Sequence, residues 1–481
     1  VLKRDWHYPG WVLSDWGAVH STVAAANNGL DQESASGFDN TEFFGAPLLK
    51  AIQNNDVRPA RLDDMVHRIL RSMFAKGLFD DPAVKSKSEM PSNIPVAQRA
   101  SEEGMVLLKN EGGILPLSEK LQRIALIGRH GDAGMLSGGG SSQVLPIGYD
   151  PSKDYMVGGA VIVLANGTKV MPTDHLIFDP PAPLDAIRAR LGHGTVEFDD
   201  GEDVNHAVAL ARDSEVAIVF AKQWMTEGND VPNLSLPGKQ DALIEAVAAA
   251  NPHTIVVLET SGPVLMPWLK NVSGVLEAWY AGNGGSAALT RVLFGDVNPS
   301  GHLPITFPQD ENQLPRPTLP GFDHPFSAFD VDYSEGSNVG YRWFDSHALT
   351  PLFPFGFGLS YTTFAIKGLK LEGGDTITAD VDVSNTGSRE GAETVQVYVT
   401  PPSVAGAHAV ARLVGWSKVD LTPGETRHLA IAADPRLLAG FNKDEDDWNV
   451  AAGDYAVTVG ESSAQPVETA HVTLAARKIK P

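Results

Sequence analysis

Short apolar runs alternate with helical stretches over the first two thirds of the chain, and a period of two takes over near its end. Trp11-Val12-Leu13-Ser14-Asp15-Trp16 is an apolar run closed by polar residues and the turn former Gly17. It predicts a buried parallel strand that delivers side chains from its carboxyl end. A second short piece, Asn28–Glu33, follows one helix later. Over Arg61–Phe74, the residues Leu62, Met65, Val66, Ile69, Leu70 and Met73 share one helical face, with Pro59 near the start and Gly77 past the end. Strand–helix–strand–helix fits the closing turns of a (β/α)8 barrel over residues 1–81.

Residues 82–121 read as a linker and crossover helix. Residues 82–95 hold three prolines among serines and lysines, and a helix is expected from Val96 to Asn110. The runs Arg123–Gly128, Val216–Phe220, Thr254–Leu258 and Gly274–Trp279 then alternate with helical segments at Leu184–Leu191, Val204–Arg212 and Gln240–Ala250. That is the pattern of an open, mostly parallel α/β sandwich domain over 122–311. Residues 312–367, rich in proline, glycine and aromatics, form an extended connector. From 368 to 481 the strands Thr376–Asn385, Glu393–Thr400, Thr426–Ile431 and Asp454–Gly460 alternate between turn residues, which predicts an antiparallel β-sandwich. The fold class is α/β multidomain.

Composition narrows the function. With 481 residues the chain exceeds one hydrophobic core. A net charge of −22 repels phosphate backbones and anionic lipid, so neither nucleic acid nor membrane is an expected partner. Having no cysteine, the chain has no disulfide, thiol nucleophile or zinc–thiolate site. The acidic runs Asp199–Asp203 and Asp444–Asp447 lack calcium-loop spacing.

Two carboxyls suit glycoside cleavage, in which one attacks or stabilises the anomeric carbon and the other protonates the leaving oxygen. Asp15 sits at a strand end beside Trp16, whose ring offers a sugar an apolar face. An ordinary loop cap is the competing reading. Glu227 follows the strand Val216–Phe220, at the end where open sheets bind ligands. Trp224 and Met225 are expected to desolvate it and raise its pKa. Asp230 competes for the same role. The Gly138–Ser142 loop lacks the Lys/Ser pair of a phosphate-binding loop and reads instead as a loop that shapes a sugar pocket or simply turns. Trp343 fits either the mouth of a site or packing, and His130 is a candidate for the leaving-group side.

Gly10-Trp11-Val12-Leu13-Ser14-Asp15-Trp16-Gly17-Ala18 resembles the nucleophile signature of glycoside hydrolase family 3. Further blocks resemble the same family in the same order. They are Arg61–Phe79, Ala97–Leu117, Gly138–Ser142, Ala278–Pro308, Phe355–Phe364, Val383–Gly387 and Trp448–Gly460, the last two in a fibronectin type III-like domain.

The resemblance implies a retaining exo-β-glucosidase acting on β-linked glucosides or oligosaccharides without metal or organic cofactor. Asp15 maps onto the nucleophile and Glu227, in Thr226-Glu227-Gly228, onto the acid/base, with Trp16 and Trp224 against the substrate. Such a pair works about 5–5.5 Å apart. A β-xylosidase or arabinofuranosidase of the same family is the alternative, beside a non-catalytic carbohydrate-binding fragment and a nucleotide-binding protein built on the open sheet. The family's sugar-gripping barrel residues precede the nucleophile, so the rest of the barrel is expected as a separate chain or a further segment. The family's habit of export implies a periplasmic or secreted protein.

Overall fold

The computed structural model describes residues 1–479 apart from 35–40, 85–89, 142, 144, 151, 153–154, 159–161, 164–168, 171–172, 229, 323–328 and 403–408. Ser142 of the glycine loop, Asn229 beside Glu227 and part of the 82–95 linker thus lie outside the described residues. The chain divides into two compact units, Val1–Glu89 with Gly158–Thr173, and Met90–Val157 with Asp174–Lys480.

The first unit carries helices α1 (Val23–Asn27), α2 (Ala46–Gln53) and α3 (Pro59–Ala75). Ala26, Leu48, Ala51, Val57 and Met65 make its small core. Here one expectation fails. The expected buried strand at Trp11–Trp16 is reduced to one parallel bridge, Leu13 to Gln32, and Leu13 is 48% exposed. Among the described residues the run pairs only with the Leu30–Gln32 segment, and one neighbour cannot bury two faces. The apolar face of α3 is likewise largely bare. Met65 is buried, whereas Leu62, Val66, Leu70 and Phe74 are exposed.

The second unit opens with α4 (Met90–Gly104) and β1 (Val106–Asn110). The helix expected to reach Asn110 therefore stops at Gly104. Val106, Leu107 and Leu108 are buried and go into a sheet instead, because an apolar triplet in an interior gains more as a covered strand than as a helix end. Next come β2 (Arg123–Ile127), β3 (Met135–Leu136), four short strands β4 (Tyr155–Gly158), β5 (Ile162–Val163), β6 (Lys169–Val170) and β7 (Thr173–Leu176), and then β8 (Phe178–Asp179). The domain continues through α5 (Pro183–Leu191), β9 (Thr195–Asp199), α6 (Val204–Arg212), β10 (Val216–Gln223), α7 (Gln240–Ala250), β11 (Thr254–Thr260), β12 (Gly274–Glu277) and α8 (Gly285–Leu293).

The main sheet has the order β1-β12-β11-β10-β2-β9. Its ladders are parallel except β1 on β12. Its inner strands β2, β10, β11 and β12 are buried on both faces, which explains why they read as continuous apolar runs. Alternate residues serve opposite cores. Ala217, Val219 and Ala221 of β10 pack with Leu243, Ile244 and Val247 of α7. Val216, Ile218 and Phe220 face the cluster that holds Ile187 of α5 and Leu289 and Val292 of α8. α6 starts at Asp203 because its carboxylate accepts the Asn205 N–H at 2.9 Å, an N-cap.

Among the described residues the connector is mostly irregular and carries the short helix α9 (Tyr341–Ser346). The last domain then alternates as predicted but holds more strands than the pattern showed. β13 (Phe364–Glu372), β14 (Thr378–Asn385) and β17 (Thr426–Ala432) form one sheet. β15 (Gly391–Thr400), β16 (Arg412–Leu421), β20 (Gly453–Ser462) and β21 (Gln465–Leu474) form the second, in the order β16-β15-β20-β21. A small sheet of β18 (Gly440–Asn442), β19 (Asp447–Val450) and β22 (Arg477–Ile479) adjoins them. Val381, Val383, Val395, Val397, Tyr455 and Val457 fill the shared core. Among the described residues no helix is long and apolar enough to cross a membrane.

Candidate active site

Each predicted site residue is built by its own unit. In the first, the Asp15 segment is held by Asp31, whose carboxylate accepts Lys3 Nζ at 2.6 and 2.7 Å, Arg61 at 2.7 Å and the Val12 N–H at 2.8 Å. The Asp31 side chain is fully buried. Burial pushes its pKa up, but the bonds from Lys3, Val12 and Arg61 outweigh that and hold it below the usual carboxylate value. Backbone bonds complete the join: Asp31 and Gln32 donate to the Val12 carbonyl, and Ser14 donates to Gln32. Asp15 is thereby presented one residue beyond a fixed Ser14. It is exposed, and one of its oxygens accepts the Trp16 N–H at 3.1 Å. Trp16 is 58% exposed, so its ring is open to a ligand.

In the second unit, β10 runs past the predicted Phe220 to Gln223 and releases the Trp224–Glu227 loop at the carboxyl end of the sheet. The glycine loop that follows β3 lies directly on it. Gly139 N–H donates to the Met225 carbonyl at 2.9 Å, and Ser141 N–H donates to the Glu227 carboxylate at 2.7 Å. A side chain at 139 or 140 would collide with Trp224 or Glu227 at 2.5 Å, so two glycines are required for this approach. On the other side Tyr280 accepts the Met225 N–H at 2.9 Å and donates to the Gln223 carbonyl at 2.5 Å. Burial raises the Tyr280 hydroxyl to about 12, which keeps it a donor.

The expected raised pKa of Glu227 is not found. Glu227 is exposed, and the Ser141 hydroxyl, followed by the Ser141 N–H, lowers its pKa. The flanking residues turn away from it. Trp224 gives its indole N–H to the Ser137 carbonyl at 3.0 Å and packs on Leu136, Leu176 and Phe178, while Met225 contacts Ser261. Trp224 is thus half-buried packing with one edge near Glu227's loop. Asp230 is exposed, three residues on. His130 lies buried against Phe178, 4.7 Å between ring centres. Burial takes its pKa down to about 3, aided by Lys222 and Arg129. It lies in the interior. Trp343 donates to the Gln313 carbonyl at 2.8 Å and stacks on His347, which is the packing alternative.

Residues 105–361 match the glycosyl hydrolase family 3 C-terminal domain and residues 393–463 a fibronectin type III-like domain. The chain belongs to glycosyl hydrolase family 3. Its relatives in that family include the thermostable beta-glucosidase B of Acetivibrio thermocellus, 35% identical over 96% of this chain and 58% of the relative. An exo-alpha-(1->6)-L-arabinopyranosidase of Bifidobacterium breve is 34% identical over 98% of this chain and 60% of its own length. The chain therefore spans less than two thirds of the length of these curated relatives. A crystal structure of a beta-glucosidase from Streptomyces venezuelae in complex with D-glucose superposes with a TM-score of 0.85 at 30% identity, covering 98% of this chain and 73% of that one. The α/β domain and the fibronectin-like sandwich are both family features.

Sequence reasoning missed Asp31 and two buried carboxylates under the Glu227 loop, Glu259 and Glu277. Each had a visible signal, an acid embedded in or ending an apolar run. Among the described residues no group of three or more His, Asp or Glu side chains is arranged to hold a metal ion.

Proposed function

We propose that this chain carries the nucleophile and the acid/base of a retaining exo-β-glucosidase. Asp15 attacks the anomeric carbon and displaces the aglycone oxygen, which takes a proton from Glu227. Glu227 then takes a proton from the water that releases the sugar from Asp15. The observation that carries the reading is the Glu227 carboxylate, exposed at the end of a parallel strand and fixed by the Ser141 amide, in a chain of this family. The exposed Trp16 ring supports a role against the sugar, and Trp224 orders the Glu227 loop from beneath.

We further infer that strands from outside these residues complete a barrel around the Asp15 segment. Support comes from the bare apolar face of α3 and from a Leu13 that pairs on one side. Mass spectrometry of the active material tests this, and a single species with this chain's mass would refute it. A pentosidase is the second reading, favoured by the arabinopyranosidase relative. Rates on aryl glucoside, xyloside and arabinoside separate the two.

The central test is trapping with a fluorinated glucoside that leaves a stable glycosyl-enzyme, followed by peptide mapping. The adduct is expected on Asp15; an adduct elsewhere, or none in active protein, overturns the assignment. Glu227→Gln is expected to lose about 10²–10⁴ in rate on a phenyl glucoside. If Asp230→Asn alone shows that loss, Glu227 is not the acid.

A further inference from the structure

Beneath the Glu227 loop, three neighbouring strands carry, at or one residue before their carboxyl ends, charged side chains that the proposed reaction does not use. Lys222 of β10 stands opposite Glu259 of β11 in the parallel register, and Glu277 closes β12. Glu259 and Glu277 are 4% and 0% exposed. Burial drives both carboxyls toward the neutral form and lowers the Lys222 ammonium in the same way. Charges withdrawn from water in this manner oppose folding unless they are well bonded. An apolar residue at each position would avoid that cost, so what the carboxylates hold is informative.

Glu259 holds the root of the glycine loop. Its Oε1 accepts the Leu136 N–H at 2.8 Å, a bond buried at both ends. Leu136 closes β3 and is itself fully buried. From there the chain is tied to the Glu227 loop at successive points. The Ser137 carbonyl accepts the Trp224 indole N–H at 3.0 Å, Gly139 donates its N–H to the Met225 carbonyl at 2.9 Å, and Ser141 its N–H to Glu227 at 2.7 Å. The opposite side has a parallel device. Glu277 accepts the Trp279 N–H at 2.9 Å where Trp279 adopts a left-handed φ of 55°, and the adjoining Tyr280 clasps Gln223 and Met225.

We propose that Glu259 is a positioning residue for Glu227, acting through Leu136 and the Ser137–Ser141 backbone. The proposal rests on the reading of Glu227 as general acid. It requires reach and an acceptor oxygen at 259 and does not require charge.

Two near-isosteric variants separate these requirements. Glu259→Gln keeps an acceptor at the same reach and loses the charge; Glu259→Asp keeps the charge but is one methylene too short for Leu136. In the catalytically competent protein, kcat/KM is read on phenyl glucoside, whose leaving oxygen needs a proton, and on dinitrophenyl glucoside, whose does not. Glu259→Asp is expected to lose about 10²-fold on the first, the size of an ångström-scale misplacement, and little on the second. Glu259→Gln keeps both rates. An even loss on both substrates in Glu259→Asp, or a loss in Glu259→Gln equal to that in Glu259→Asp, overturns the proposal.

Glu227→Gln is run beside them. An even loss there refutes the general-acid reading itself, which is a different result from an even loss in Glu259→Asp alone. Amide exchange at Leu136 in the 481-residue chain supplies a readout independent of turnover. It should accelerate in Glu259→Asp and stay protected in Glu259→Gln; full protection in Glu259→Asp refutes the anchor.

Discussion

Gly140→Ala is the sharpest perturbation of the Glu227 loop, because its effect can be worked from geometry before any rate is measured. Gly140 has a φ of +96°, and a Cβ added there would sit 2.5 Å from the Glu227 Cβ and 3.0 Å from both its backbone nitrogen and Oε2. The left-handed backbone alone costs an alanine about 1–2 kcal/mol. To regain an ordinary 3.4 Å contact, the Glu227 carbon must retreat by about 0.9 Å, and a misplacement of that size costs about 10²-fold in rate. The loss should follow the need for protonation. On phenyl glucoside kcat/KM is expected to fall by about 10²-fold, and on dinitrophenyl glucoside far less. Gly138→Ala is the internal control. Its Cβ would meet the Tyr280 ring at 3.1 Å without a left-handed φ, so the ring has only tenths of an ångström to give. Wild-type rates on phenyl glucoside in Gly140→Ala, or equal losses on both substrates, would refute the claim that this glycine sets the position of Glu227.

Asp31→Leu should destabilise the protein by about 3–5 kcal/mol in urea titration, since it removes the buried carboxylate that pairs both Lys3 and Arg61; a change within error would show that Lys3 finds water and that Asp64 suffices for Arg61. Because the folded state lowers the Asp31 pKa, its contribution is present above the unfolded carboxylate pKa and is lost as pH falls through the folded one, so Asp31→Asn should flatten the acid side of the stability curve. Ser141→Ala removes the largest influence lowering the Glu227 pKa. The basic limb of kcat/KM should then move to higher pH, and an unmoved or lowered limb would mean that another group titrates there.

Legibility in the sequence followed burial. Val216–Phe220 and Thr254–Leu258 could be read as strands because both faces are covered, and α6 and α7 were bounded to the residue. β9 escaped because it is an edge strand with mostly half-exposed positions in Thr195-Val196-Glu197-Phe198-Asp199. β21 escaped for the same reason, as its pattern is exposed or half-exposed until Leu474. β1 was lost to a helical period that continued smoothly across Gly104, although the buried triplet Val106–Leu108 was a strand signal. At the site, position along the chain was readable and environment was not. Glu227 does follow a parallel strand, but its apolar neighbours in sequence, Trp224 and Met225, point to other partners in space. Desolvation depends on where side chains turn, which adjacency cannot tell.

The hold on Glu227 also bears on how one carboxyl serves two steps. The Ser141 hydroxyl and N–H favour the carboxylate, the form that must take a proton from water in the second step of the proposed reaction. The first step needs the acid form, and nothing in the described surroundings of this exposed side chain supplies it. A bound sugar and aglycone would supply it by displacing water from around Glu227, since desolvation disfavours the charged form. Ser141 therefore opposes the first step electrostatically while aiding it geometrically. Ångström-scale misplacement costs about 10²-fold, so in the proposed reaction a loop of glycines that brings a backbone amide onto the Glu227 carboxylate serves aim even though that amide weakens it as an acid.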